Sequence, residues 1–235
     1  MTGGARPSSA AEPTGASSTS GRDRAVRGDA VIREARPEDA PAIHRVVEAA
    51  YRGTPAGSGT AWTTEEHLVG GERTSVAEIT AMIESPHELM LVLERPAAPA
   101  DGEGAGSARE ARDARQTGGA DASGVIGCCA VHGASTDTEL PEFGMFAVDP
   151  GQQAGGLGRA LLEEACRRTA QTGASHMEIR VLNSRPELRA WYERRGFTAT
   201  GEVRPFPGDS AHLKVADLAM DVMVRPLGSS SPSTD

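Results

Sequence analysis

The chain has 235 residues, a net charge of −9 and 38% hydrophobic residues, few of them aromatic. A nucleic-acid binder normally carries a basic face to neutralise phosphates, so this balance argues against one. No apolar run reaches the roughly 18 residues of a membrane span, and the N-terminal segment lacks the apolar stretch of a secretion signal.

Two stretches hold almost nothing large and apolar: residues 1–28, rich in Gly, Ser, Pro and Arg, and residues 95–123, rich in Ala, Gly and charge. Neither buries enough apolar surface to offset the entropy of ordering, so both are expected to be disordered, as is the tail 227–235. The expectation is a single domain over 29–226, with 95–123 as a disordered insert between strands; such an insertion is tolerable because loop closure grows only logarithmically with length. Cys128, Cys129 and Cys166 show neither disulfide nor metal spacing, which suits buried reduced thiols in a cytoplasmic protein and implies no metal.

In chain order, 30–35 reads as a short strand, and Ile43, Val46, Val47, Ala50 and Tyr51 form one helical stripe. Ser75 and Glu78 are spaced as a capping box that opens a helix, which Pro86 ends. Strands follow at 88–94, 124–133 and 140–148, then a glycine-rich loop and a helix from about 156 to 171. In that helix Glu163–Arg167 and Glu164–Arg168 are spaced as i,i+4 pairs on an exposed side, and Gly173 fits its end. A strand at 176–182 precedes a short helix with Ser184 and Glu187 spaced as a capping box, Pro186 in its first turn and Gly196 at its left-handed end. A last strand alternates Leu218, Met220, Val222 and Val224 against Asp217 and Asp221. The order predicts an α/β (α+β) fold: a mixed, mostly antiparallel central sheet with helices on both faces and one strand–helix–strand crossover at 140–182.

The stretch VDPGQQAGGLGRALL (148–162) is the most informative. A nucleotide P-loop needs Lys-Ser/Thr after its last glycine, whereas Arg159-Ala160 follows Gly158. The dinucleotide fingerprint needs a third small residue where Leu161 stands. The remaining pattern is Q-x-x-G-x-G, from Gln153, Ala154, Gly155, Gly156, Leu157 and Gly158, with Arg159 next. Such a loop wraps a pyrophosphate in backbone N–H groups and adds the positive end of the helix, although the pattern alone also describes a glycine-rich tight turn.

Three segments in order, EFGMFAVDP, QQAGGLGRALL and WYERRGF, with a strand between the last two, resemble the GNAT superfamily of N-acetyltransferases. The resemblance runs from Val31 to about Arg225, omitting the insert. It implies acetyl-CoA as co-substrate and a GNAT-like acyl-CoA N-acyltransferase fold in which strands 140–148 and 176–182 splay apart. It also implies contacts to the pantetheine arm from Phe146, Ala147 and Val148, and from Asn183. Asn183 stands nine residues before Tyr192, where many members have seven, and Ala154 replaces a common Gly.

Transfer of an acetyl group to an amine needs a proton acceptor for the amine, donors for the developing oxyanion and a proton for the departing thiolate. Tyr192 matches the family's usual tyrosine at the last task, and it also falls on an apolar stripe with Leu188 and Trp191. Glu142 stands where some members place a base; Glu65, Glu66 and His67 are alternatives, Trp62 could wall an acceptor pocket, and His132 reads as structural. The expected activity is acetyl transfer to a primary amine, small molecule or peptide, by direct attack in a ternary complex, with a non-catalytic acyl-CoA-binding module as the alternative. An exposed strand edge would permit a homodimer.

Overall fold

A computed structural model of the chain describes residues 24–26, 30–53, 64–65, 67–95, 124–134, 140–153, 155–207, 212–215 and 218–228. The segments 1–23, 96–123 and 229–235, with Trp62, Glu66, Ala154 and Asp217, lie outside the described residues. The elements are β1 (Arg24–Ala25), β2 (Val31–Glu34), α1 (Ala40–Arg52), α2 (Val76–Glu84), β3 (Glu88–Glu94), β4 (Val125–His132) and β5 (Glu142–Val148), then α3 (Leu157–Gln171), β6 (His176–Leu182), α4 (Pro186–Glu193), β7 (Thr198–Pro205) and β8 (Ala219–Pro226). Among the described residues the strands form one sheet in the order β1-β2-β3-β4-β5-β6-β8-β7. Every pairing is antiparallel except β5 with β6, which α3 connects. This is the mixed, mostly antiparallel architecture expected from the sequence. No helix among the described residues is long and apolar enough to cross a membrane.

Because a strand sends successive side chains to opposite faces, β3 and β4 feed two cores. Met90, Val92, Cys128 and Ala130 pack under α1 and α2 with Ile43, Val47 and Ile79. Leu91, Leu93, Cys129 and Val131 pack under α3 with Leu161, Leu162 and Ala165. Burial pushes the Cys128 thiol up to about 12 and holds that of Cys129 well above the usual thiol range, so neither is a nucleophile at neutral pH.

The Ser75–Glu78 capping box of α2 forms as its spacing predicts, and Gly173 and Gly196 take positive φ. Three expectations need correction. Arg24–Ala25, inside the stretch expected to be disordered, pair with Val31 and Ile32, which offer β1 a free strand edge. The residue at the N-cap of α4 is Arg185, so Ser184 caps nothing; Glu187 instead binds the Arg185 guanidinium. Glu164 is fully buried rather than on an exposed side, and Glu163 pairs with Arg225 rather than Arg167.

Glu164 is the hub of a buried ionic chain. It accepts from Arg168 Nε at 2.8 Å and Arg167 Nη2 at 2.6 Å, and Arg168 also reaches Glu34 of β2 at 2.8 Å. A buried carboxylate is tolerable only while paired. Arg167→Met with Arg168→Met, which removes both guanidinium partners, should therefore lower the unfolding free energy by about 3 kcal/mol in urea titration, and adding Glu164→Leu should recover most of it. Equal losses in the two variants would contradict this account.

Candidate active site

The site begins with an irregularity in β5. Ala147 pairs with Cys128 and Gly144 with Ala130, so Met145 and Phe146 together oppose the single residue Cys129. That is a β-bulge, and Met145 at its centre has φ 42°, a left-handed value uncommon outside glycine. The extra residue shifts the alternation of the strand. Phe143 faces the α3 core, and after the bulge Phe146 and Val148 return to that same core, with Ala147 under α1. On its other side β5 pairs with β6 only at Glu142–Glu178 and Phe143–Ile179. Beyond that point the strands diverge while β6 stays paired to β8 through Leu182. A cleft of about 140 Å³ opens between Gly144, Met145 and Phe146 on one side and Ile179 to Leu182 on the other.

At one end of the split lies the glycine loop. The Asp149 carboxylate accepts from the Gly151 N–H at 2.8 Å, and Gln153 Nε2 donates to the Val148 carbonyl at 3.2 Å, which fixes the turn out of β5. Gly156 caps α3 at φ 77° with no side-chain acceptor for the first-turn amides. A helix start without such an acceptor presents free N–H groups and positive potential. Gly158 lets this helix approach β5: a Cβ there would lie 3.0 Å from Phe146 Cζ. Phe146, Val148, Gln153, Gly156, Leu157, Gly158 and Arg159 line a cavity of about 480 Å³, with Trp191 and Arg195 also in its lining. The cavity has an apolar floor, an amide-lined helix end and guanidinium groups, a donor set that fits a phosphate-bearing ligand with an organic arm. Trp191 and Arg195 went unread in the sequence because they pass for core and solvated helix residues. Asn183 is exposed at the end of β6, its N–H bound to the Ala219 carbonyl at 3.0 Å, and it lines neither cavity.

The other end of the split collects the titratable groups. Tyr192, 6% exposed, stands edge-on to Trp191 and Phe197 at ring distances of 4.9 and 5.5 Å. Burial holds its hydroxyl protonated, well above the usual tyrosine range. Tyr51 of α1 donates to the Phe146 carbonyl at 3.1 Å, tying that helix to the bulge. Glu142 lies at the mouth, held by Arg180 at 2.9 Å, and Arg180 also binds Glu178, which in turn binds Arg204. Glu65 is 9% exposed in the same cleft, with its N–H on the Tyr51 carbonyl at 2.8 Å. Arg185 positions this segment by donating to the Thr64 carbonyl at 3.1 Å. Burial raises the carboxyl pKa of both Glu65 and Glu142; Arg73, Arg52, Arg185 and His67 oppose it at Glu65, and Arg180 chiefly at Glu142. His67 is exposed, and His132 pairs with Glu88 across β3–β4 at 2.7 Å. Among the described residues no group of three His, Cys, Asp or Glu side chains could hold a metal ion.

Residues 115–199 match the family model of the acetyltransferase (GNAT) domain. The matched stretch holds β4, β5, the glycine loop, α3, β6 and α4, and over it the chain is similar to that family. A 62-residue segment is 39% identical to the mycothiol acetyltransferase of Beutenbergia cavernae, covering 26% of this chain; it spans 21% of that relative's length. Among solved structures, YncA of Salmonella typhimurium with its cofactor acetyl-CoA is 17% identical, with a TM-score of 0.55 over 88% of this chain and 100% of that one. The ribosomal-protein-S18-alanine N-acetyltransferase of Escherichia coli is 16% identical, with a TM-score of 0.53 over 88% and 99%. The spermidine N-acetyltransferase of Vibrio cholerae in complex with CoA and spermine is 15% identical, with a TM-score of 0.54 over 86% and 98%. At these identities the likeness to the solved structures is one of GNAT fold.

The two glycines of the loop should fail differently. Gly156→Ala meets no atom within 4 Å, so its cost is the left-handed backbone alone, about 1–2 kcal/mol of stability. Gly158→Val should push Phe146 into the cavity and weaken CoA binding at least as much as it lowers the melting temperature. Calorimetry and thermal melts of the two variants check this.

Proposed function

We propose that the protein is an acetyl-CoA-dependent N-acetyltransferase acting on a primary amine by direct attack in a ternary complex. The single observation that carries the reading is that the two cavities share Phe146 as a wall. Phe146 lines both, so a ligand whose phosphates rest at the start of α3 can send its thioester arm along β5 to Tyr192 and the carboxylates. On this reading Phe146, Ala147 and Val148 flank the pantetheine arm, Gln153, Gly155, Gly156, Leu157, Gly158 and Arg159 surround the pyrophosphate, and Asn183, exposed just past the cleft-lining Leu182, meets the arm from the rim.

The reaction divides among this chain's residues. The amine must be neutral to attack, and a buried carboxylate with a raised pKa is a suitable acceptor for its proton. Glu65 fits that role better than Glu142: among the described residues no ion pair engages Glu65, whereas Arg180 holds Glu142 at 2.9 Å. Glu142 then orients the amine at the mouth. As the amine nitrogen bonds to the acetyl carbon, the carbon–sulfur bond breaks, Glu65 takes a proton from nitrogen and Tyr192 gives one to the thiolate. The opened edge of β5 supplies backbone donors for the oxyanion.

Thiol release from acetyl-CoA with a panel of amines and peptides tests the reading. Tyr192→Phe should lower kcat by about 100-fold, the lower end of acid–base effects. Because Glu65 acts as its carboxylate, the wild-type rate should rise with pH through a pKa above the ordinary glutamate value. Glu65→Gln should abolish that rise, whereas Glu142→Gln should mainly raise the amine KM. A pH rise that survives in Glu65→Gln and disappears in Glu142→Gln would reverse the two assignments. No turnover with any amine would contradict the activity.

A further inference from the structure

The cavity at the start of α3 holds more positive charge than a pyrophosphate on the helix amides requires. Arg195 follows α4 and lines the same cavity as the glycine loop from a separate element, with its guanidinium carbon 3.4 Å from the centre of the Trp191 ring. Its Nη1 donates to the Trp191 carbonyl at 2.6 Å, and its Nε is buried with no partner. Among the described residues no acceptor engages Nη2. Burial destabilises its charged form, and Arg194 and Arg159 add to that. The carboxylate that faces it, Glu163, is already held by both terminal nitrogens of Arg225 at 3.0 and 2.9 Å. Like charges that converge on a partly buried wall, with the nearby acid committed elsewhere, are relieved by an entering anion. The indole beneath Arg195 fixes the plane of the guanidinium, so its free edge is presented in one orientation.

CoA carries two separated anionic groups, the pyrophosphate and the 3′-phosphate on the ribose. We propose that Arg195 holds the ribose 3′-phosphate of the donor, a second anion site distinct from the glycine-loop amides and Arg159. The inference rests on the cavity being the donor site, as proposed above. It follows from geometry: the amide-lined start of α3 serves one anion, and Arg195 enters the cavity from a separate element with a guanidinium edge unspent. It makes the enzyme selective for donors that carry a phosphorylated ribose.

The test is binding rather than turnover, so it reads the donor site whether or not an amine is known. Calorimetry compares CoA with 3′-dephospho-CoA for the wild type, Arg195→Met and Arg159→Gln, each confirmed by a cooperative thermal melt. The wild type should bind CoA about 10- to 100-fold more tightly than 3′-dephospho-CoA, the range of a charge-assisted pair. Arg195→Met should lose that factor for CoA and leave 3′-dephospho-CoA unchanged; Arg159→Gln, on the exposed first turn beside the pyrophosphate, should weaken both ligands alike and keep the factor. Equal wild-type affinities, or equal weakening of both ligands in Arg195→Met, would overturn the proposal and place Arg195 at the pyrophosphate or in packing alone. A folded wild type that binds neither ligand would overturn the donor-site reading itself.

Discussion

The site depends on one extra residue in β5. Met145 and Phe146 occupy the space opposite Cys129, and this bulge changes which face the rest of the strand serves. With strict alternation Phe146 would point beneath α1. With the bulge it points beneath α3, where its ring meets Gly158 and forms the floor shared by both cavities. The same irregularity bends β5 away from β6 after only two paired residues. A sheet that closed here would bury its own amides in a ladder. One that opens leaves them facing a cleft, as acyl transfer needs for an oxyanion and an extended arm. The Tyr51 hydroxyl on the Phe146 carbonyl holds the opening in place, since a buried carbonyl outside the ladder needs a donor.

Charge is divided along the split in keeping with the chemistry. The loop end has helix amides and guanidinium groups and suits phosphates. The opposite end has two carboxylates whose pKa burial raises, one locked by Arg180 and one unpaired among the described residues. Groups of similar chemistry whose environments differ in this way divide into a positioning role and a proton-transfer role. Tyr192, kept protonated by burial, completes the set between them.

Local features were legible in the sequence. The glycine loop, the cap of α2, the left-handed ends at Gly173 and Gly196 and the crossover from β5 to β6 follow from residue type and spacing, because each is decided within a few residues. Long-range features were not. Nothing marks Met145 as left-handed, since methionine has no intrinsic preference for that region and the conformation is imposed by β4 and α1. Tyr51 lies on an apolar stripe, so its hydroxyl partner 95 residues away is invisible. Arg195 has the spacing of a solvated helix end, and only the fold brings it into one cavity with the start of α3. The misread cap of α4 has the same origin: Ser184 and Glu187 have the right spacing, but Arg185 is drawn in by the Thr64 carbonyl and takes the N-cap place itself. Glu65 stood among several acids until burial singled it out.

Hydrogen–deuterium exchange with and without acetyl-CoA tests most directly the claim that the split in the sheet is the acyl-donor site. The account predicts slowed exchange at residues 145–148 of β5, at residues 180–182 of β6 and across 155–159 of the glycine loop, with α2 unchanged. Protection confined to the loop, or absent from β5 and β6 at saturating ligand, would contradict it.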